Sequence, residues 1–301
     1  MMGGKVLITG ATGLVGDRLT KLLVAHGHSV SHLGRSGKTG SVPTFLWDPS
    51  KGIIDEKAVE KVDTIVHLAG ASIAERRWTA ARKEKILNSR IESTSLLFQT
   101  LKNKPHSVQT LVSASAIGYY GFAEDDKIFT EDDKPGSDFL AQVTRQWEGE
   151  VDQINDLGLR IVKLRIGIVL SEKGGALKEM VKPIKWGLGS PLGTGKQFLS
   201  WVHLNDLCEM FLMAIENKKM SGTYNAVATW CTNAEMTNAI ANVLHKPLWL
   251  PSVPSFILRL MLGEMADIVL EGSKVSSEKI KQTGYRYKFP NLKGALDNLL
   301  T

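Results

Sequence analysis

Cysteine is nearly absent: Cys208 and Cys231 are the only two in 301 residues. Without partner spacing they exclude a disulfide framework and a thiolate metal site, and both read as small buried residues. The seven histidines are scattered, and none is paired at ligand spacing beside carboxylates, so no metal is expected. No run of about 18 apolar residues occurs, which excludes a membrane-spanning helix, and no membrane partner is expected. The first apolar strand begins at Val6, which leaves no length for a targeting peptide and makes the cytoplasm the expected compartment. The net charge of +6 invites a nucleic-acid reading. The basic residues are dispersed, however, in short clumps such as Arg82-Lys83-Glu84-Lys85 and Lys218-Lys219, so no nucleic acid is expected. A mild positive field suits an anionic small molecule, or it is simply solvated surface. Repeats and low-complexity tracts are also missing.

What is present begins at VLITGATGLVG, residues 6–16. An apolar strand stops at Thr9, glycines follow at 10, 13 and 16, and apolar residues then recur at helical spacing through Leu23. Strand, glycine turn and helix in this order suit a dinucleotide pyrophosphate. The backbone can approach the phosphates without Cβ atoms in the way, and the helix presents unpaired N–H groups and its positive dipole end. His28 to Leu33 reads as strand two, with Arg35 directly after it. No Asp or Glu occurs from position 18 to 47, where an acid would bind the ribose 2′-hydroxyl of NAD. Arg35 therefore favours NADP, with a solvated strand-end charge as the bland alternative.

Further strands are expected at Thr44–Trp47, Thr64–Leu68, Val108–Val112, Arg160–Val169, Gln197–Val202 and Tyr224–Val227. They alternate with helices at Trp78–Leu101, Asp138–Glu148, Ala176–Trp186 and from His203 to about Glu216. The fold class is α/β, a Rossmann-type doubly wound parallel sheet with a smaller C-terminal substrate domain. Residues 1–170 form the dinucleotide-binding domain, with 197–227 returning to it. Residues 171–196 and 228–301 form a mainly helical cap, with short helices at Asn233–Leu244, Ser255–Leu262, Ala266–Leu270 and Ser276–Thr283. Small residues at Ala69-Gly70-Ala71 would let a flat ring or sugar lie against a strand end. Arg76-Arg77-Trp78 and Arg90 could face a phosphate, although solvated helix-face arginines are the plainer reading. Ser113-Ala114-Ser115-Ala116-Ile117-Gly118-Tyr119-Tyr120-Gly121 places hydroxyls at another strand's carboxyl edge. The acidic stretch from Glu124-Asp125-Asp126 to Glu131-Asp132-Asp133 reads as solvated turn, and His203 as a hydrogen-bonded structural residue. Asp206 suits the first turn of its helix, where an acid complements the dipole.

These motifs resemble the extended short-chain dehydrogenase/reductase superfamily, in its branch related to nucleotide-sugar epimerases. TGATGLVG at 9–16, HLAGASI at 67–73, RRW at 76–78, SASAIGYYG at 113–121, RIGIVLSEKGGAL at 165–177 and GLGSPLGTGKQFLSWVHLNDL at 187–207 carry the likeness, as does LGE at 262–264. The resemblance implies that Gly10, Thr12, Gly13, Leu14, Val15 and Gly16 form the pyrophosphate loop and that Arg35 meets the 2′-phosphate. It implies further that Leu68, Ala69 and Gly70 line the cofactor edge and that Arg165 anchors the cofactor side; Arg90, as a possible phosphate contact, is counted with the cofactor-binding residues. Ser115 falls at the position of the superfamily's catalytic serine, and Tyr120 is a candidate proton donor. A small-molecule substrate and a homodimer are implied as well. The Tyr-x-x-x-Lys of active members is missing: Leu140 and Thr144 take its places, and none of the five tyrosines has a lysine four residues on. The proton could then come from Tyr120 or Tyr119, or from the C-terminal part, or the chain could bind cofactor without turnover.

Overall fold

The computed structural model describes residues 3–36, 42–122 and 126–301. In chain order its strands are β1 (Lys5–Thr9), β2 (Ser29–Gly34), β3 (Thr44–Asp48), β4 (Ile53–Ile54), β5 (Thr64–His67), β6 (Thr110–Ala116) and β7 (Ile128–Phe129). They continue with β8 (Arg160–Ile166), β9 (Ile168–Leu170), β10 (Phe198–His203), β11 (Gly222–Ala226), β12 (Thr229–Thr232) and β13 (Lys274–Val275). The helices are α1 (Leu14–Ala25), α2 (Lys57–Glu60), α3 (Ala80–Asn103), α4 (Phe139–Gln153), α5 (Gly175–Lys185) and α6 (Leu204–Glu216). They end with α7 (Asn233–Val243), α8 (Ser255–Leu262), α9 (Asp267–Leu270), α10 (Glu278–Gln282) and α11 (Leu292–Leu300).

The main sheet has the order β11-β8-β6-β5-β1-β2-β3-β4, parallel throughout except for the antiparallel β3–β4 pair. Val6, Leu7 and Ile8 are all fully buried, as a central parallel strand requires when both sheet faces are covered. The strand order departs in opposite directions from β1 and β5, so a crevice opens beyond their carboxyl ends, the usual ligand position in such sheets. Helices α3 and α4 pack on each other over one face, and α1 and α6 form the other helix pair. Arg18 Nε donates to Asn205 Oδ1 across that second pair, at 2.7 Å.

The sequence pattern suggests one strand from Arg160 to Val169, but the chain breaks at Gly167. A Cβ there would stand 2.6 Å from the Ser200 carbonyl oxygen, so only glycine allows β10 to pass so close. Beyond the break the chain continues as β9 in a second sheet of order β12-β10-β9. Leu177, Ile184, Met236, Ile240 and Leu296 pack in the core of this part. The C-terminal stretch holds the short strands β12 and β13 and a final helix α11 in addition to the expected helices.

Asp206 does lie in the first turn of α6, but it is buried. It accepts the backbone N–H groups of Lys288 at 2.8 Å and Phe289 at 3.0 Å, pinning the C-terminal segment to α6. His203 caps the same helix by accepting the Asn205 N–H and stacks on Phe289 at 3.9 Å. Burial pushes the Cys208 and Cys231 thiols up to about 12, which keeps them inert. Among the described residues no group of three His, Cys, Asp or Glu could hold a metal ion. No helix there is long and apolar enough to cross a membrane.

Candidate functional site

The turn after β1 needs glycine at positions 10 and 16, and Gly13 closes it. Gly10 has φ +67°, and a Cβ on it would lie 2.9 Å from the Leu68 carbonyl group. Gly13 donates to the Gly10 carbonyl at 3.0 Å and serves as N-cap of α1, with no side chain capping the helix. A Cβ on Gly16 would meet the Gly10 oxygen at 2.5 Å and Ala11 Cα at 2.6 Å. The loop therefore closes tightly onto β5 and leaves the first-turn N–H groups of α1 for an anion, a fit to a dinucleotide pyrophosphate. Thr12 and Gly13 are exposed at the turn, while Leu14 and Val15 are half-buried; Leu14 faces the turn at Gly174-Gly175. Arg35 stands just past β2, exposed, and makes no hydrogen bond or ion pair among the described residues. Residues 37–41 beside it lie outside the described residues, as do Glu124 and Asp125 of the acidic stretch.

Beneath the loop is a buried polar chain. Thr9 Oγ1 accepts the N–H groups of Leu68 at 3.0 Å and Ala69 at 3.1 Å, so its own proton goes to His67 Nδ1 at 2.9 Å. His67 Nε2 then carries the ring hydrogen and donates to Thr94 Oγ1 at 3.1 Å, and Thr94 donates to the Arg90 carbonyl at 2.8 Å. Burial first, and the charge of Arg90 second, pull His67 down to about 3, so the ring is neutral. The backbone at Leu68-Ala69 thus hangs on a neutral histidine. An unfolded histidine titrates near 6.5, so this contribution is complete above that pH and is lost as the pH falls toward 3. The loss is of the order of 5 kcal/mol. Denaturant titrations at pH 7, 5 and 4 are expected to show this acid loss in the wild type and a flatter profile in His67→Asn. Equal slopes in the two proteins would remove His67 from the account.

The second polar cluster follows from strand register. Ser115 on β6 lies opposite Arg165 on β8, which lies opposite Asn225 on β11, so the three share one face. Helix α4 crosses that face and supplies Glu148. Ser115 Oγ donates to Glu148 Oε1 at 2.5 Å, and Arg165 clamps both carboxylate oxygens, Nε at 2.8 Å and Nη2 at 2.9 Å. Arg165 Nη1 donates to the Tyr120 hydroxyl at 3.0 Å, and that hydroxyl donates to Asn225 Oδ1 at 2.6 Å. Lys163 adds positive charge 3.6 Å from Glu148 while donating to Asp152. Ser115, Tyr120, Glu148, Arg165 and Asn225 are all at least 95% buried. Burial pushes the Glu148 carboxyl up, but the Arg165 hydrogen bonds and charge, with Lys163 and Ser115, outweigh it and hold the group below the usual carboxylate range. Burial pushes Tyr120 up to about 12, against the pull of Arg165. Arg165 is thus turned toward Glu148 and Tyr120. Leu140 and Thr144, at the places of the missing pair, face Gly118 in the short 3-10 turn beside Tyr120.

Arg90, the other candidate phosphate contact, is directed inward. It donates to the carbonyls of Ala71 at 3.1 Å and Ile86 at 2.9 Å, and its guanidinium lies 5.2 Å from the Trp147 ring. A Cβ on Gly70 would stand 3.2 Å from its Cζ. Burial pulls Arg90 down to about 10, which leaves it charged. It fixes the backbone at Ala71, just past Gly70.

Thr9, His67, Glu148 and Asn225 are site residues that pattern reading passed over. The signal for Glu148 was available. Thr144, Trp147, Glu148 and Val151 form the buried stripe of α4, and a carboxylate on such a stripe needs a partner.

Fold and crevice together define a dinucleotide-binding α/β protein. A model of the NAD dependent epimerase/dehydratase family matches residues 6–227, and one for a domain of unknown function (DUF1731) matches residues 253–299. The chain belongs to the NAD dependent epimerase/dehydratase family. It is 37% identical over 298 residues to an epimerase family protein of Staphylococcus saprophyticus, covering 98% of each chain. To the epimerase family protein YfhF of Bacillus subtilis it is 36% identical, covering 98% of this chain and 97% of that one. The crystal structure of the human epimerase family protein SDR39U1 with NADPH superposes with a TM-score of 0.87 at 32% identity, covering 98% of each chain.

Proposed function

We propose that the chain binds NADP(H) and uses it as an oxidoreductase or epimerase on a small polar alcohol or carbonyl compound, with nucleotide-linked sugars as the first candidates. The observation that carries this reading is the glycine cradle of residues 10–16, where added Cβ atoms would fill the space the backbone needs. Gly10 through Gly16 would hold the pyrophosphate, Arg35 the 2′-phosphate, and Leu68 to Gly70 the flat part of the ligand. When bound, the nicotinamide supplies the hydride acceptor or donor.

The protein's own task is the proton. Ser115 already gives its hydrogen to Glu148, so its oxygen is left to accept one from a substrate alcohol. For an alcohol whose carbon gives hydride to the bound nicotinamide, the O–H proton would pass to Ser115 and the serine proton to the Glu148 carboxylate. This relay would take the place of the missing tyrosine and lysine. Tyr120, held between Arg165 and Asn225, would keep Arg165 in line rather than give up its proton.

A second reading is favoured by the same cluster: a carboxylate clamped by Arg165 is a weak base, which suits a cofactor-binding protein with little turnover. A 340 nm screen with carbonyl compounds and sugar nucleotides separates the two. The first reading expects turnover that falls at least 100-fold in Ser115→Ala. Turnover indifferent to that change removes Ser115 from the mechanism, and no turnover on any substrate favours the second reading.

A further inference from the structure

Large apolar side chains are mostly hidden in this protein, and the exceptions gather in one region. Of the ten large hydrophobic residues exposed among the described residues, six lie between positions 186 and 261: Trp186, Leu188, Trp249, Phe256, Leu260 and Met261. Single exposed residues are ordinary, but a shared patch marks an interaction face. Backbone contacts bring the segments together. The run after α5 lies along residues 248–253: Gly193 donates to the Val253 carbonyl at 2.8 Å, Val253 donates to the Pro191 carbonyl at 2.9 Å, and a Cβ on Gly189 would stand 2.7 Å from Leu248 Cδ2. Trp186 and Leu188 therefore stand beside the segment that carries Trp249, and α8 begins six residues after that tryptophan.

Helix α8 has nowhere to hide its apolar residues. Its sequence, SFILRLML, is hydrophobic on nearly every side, yet Leu258 alone is buried. Phe256 and Leu260 are four residues apart and share one stripe, with Met261 next to it. Polar ties hold the helix in this attitude: Arg77 Nη2 donates to the Leu260 carbonyl at 3.3 Å, Lys83 pairs with Glu264, and Arg259 pairs with Asp267 at 2.7 Å. The apolar stripe therefore stays outward until something covers it.

We infer that this face lies on an anionic lipid bilayer. Charge decides the occupant. Residues 178–188 and 245–262 carry five cations, Lys178, Lys182, Lys185, Lys246 and Arg259, and one acid, Glu179. All five cations are exposed, and the three lysines of α5 recur at helical spacing just before Trp186. A second copy docked through the same patch would set these like charges against each other. Tryptophan and leucine flanked by lysine suit a lipid interface instead, where rings enter between the headgroups and ammonium groups meet their phosphates. No described helix is long and apolar enough to cross a membrane, but lying on one needs no span. The inference holds whatever ligand the glycine loop takes.

The test is co-sedimentation of the full chain with vesicles of equal parts phosphatidylglycerol and phosphatidylcholine, and with vesicles of phosphatidylcholine alone. Binding to the anionic vesicles is expected to be at least tenfold tighter and to weaken with added salt. Phe256→Ser/Leu260→Ser keeps every charge and removes only exposed apolar groups, so it is expected to lose at least tenfold in vesicle affinity with its melting temperature unchanged. Lys182→Glu/Lys185→Glu is expected to lose at least as much. Lipids brominated on their acyl chains are expected to quench the tryptophan emission of the wild type, and less so that of Trp186→Phe/Trp249→Phe. Equal vesicle binding by wild type and the serine variant overturns the inference, because the attraction would then be the general positive charge of the chain. Absence of vesicle binding or of quenching overturns it too. So does sedimentation velocity that shows a dimer dissolved by the serine substitutions, which would make a second copy the occupant.

Discussion

Gly10→Ala is expected to weaken NADPH binding by about 100-fold or more while the protein remains folded. The residue sits at φ +67°, where a Cβ costs roughly 1–2 kcal/mol, and the methyl would press on the Leu68 carbonyl at 2.9 Å. Overpacking against backbone adds about 1–3 kcal/mol. The loop escapes that strain by opening away from β5, and an open loop no longer directs the α1 N–H groups at a pyrophosphate. Binding must then close it again, so the strain reappears as lost affinity. Fluorescence titration with NADPH measures the loss, and a thermal melt checks that folding survives. An affinity within threefold of wild type would mean that the turn does not need its left-handed glycine.

Glu148→Ala is expected to be the most destabilising single change in the second cluster. It removes the carboxylate from Arg165 and leaves that guanidinium buried with Tyr120 and its other neutral neighbours, while Lys163 keeps Asp152. Breaking a buried pair from one side costs about 3–5 kcal/mol. For a chain of this size that corresponds to a fall in melting temperature of about 5–8 °C. Glu148→Gln preserves shape and one acceptor and is expected to lie between the two. A melting temperature for Glu148→Ala within about 3 °C of wild type would show that the Arg165 charge is satisfied from elsewhere.

The parts legible in the sequence were those set by local rules. The Gly10-Gly13-Gly16 spacing, the apolar run of β1 and the bare stretch from 18 to 47 each carry their reason within a few residues, and the parallel sheet follows from their alternation with helices. What stayed hidden depends on register. Ser115, Arg165 and Asn225 lie 50 and 60 residues apart in the chain, and only the β6–β8–β11 pairing brings them to one face. The resemblance therefore assigns Arg165 to the cofactor side, because nothing local in the sequence names Glu148 as its partner. His67 read as one apolar-strand residue among several, since its role arises from Thr9 on the neighbouring strand and Thr94 on α3. The break at Gly167 is long-range for the same reason: its close neighbour, Ser200 on β10, lies 33 residues further along the chain.

Titration of the wild-type protein and Arg35→Ala with NADPH and with NADH tests the central claim most directly. An arginine–phosphate contact contributes about 1.5–3 kcal/mol, so NADPH should bind wild type roughly 10- to 100-fold more tightly than NADH, and Arg35→Ala should lose most of that preference. Equal affinity for the two dinucleotides in wild type, or binding of neither, would contradict it.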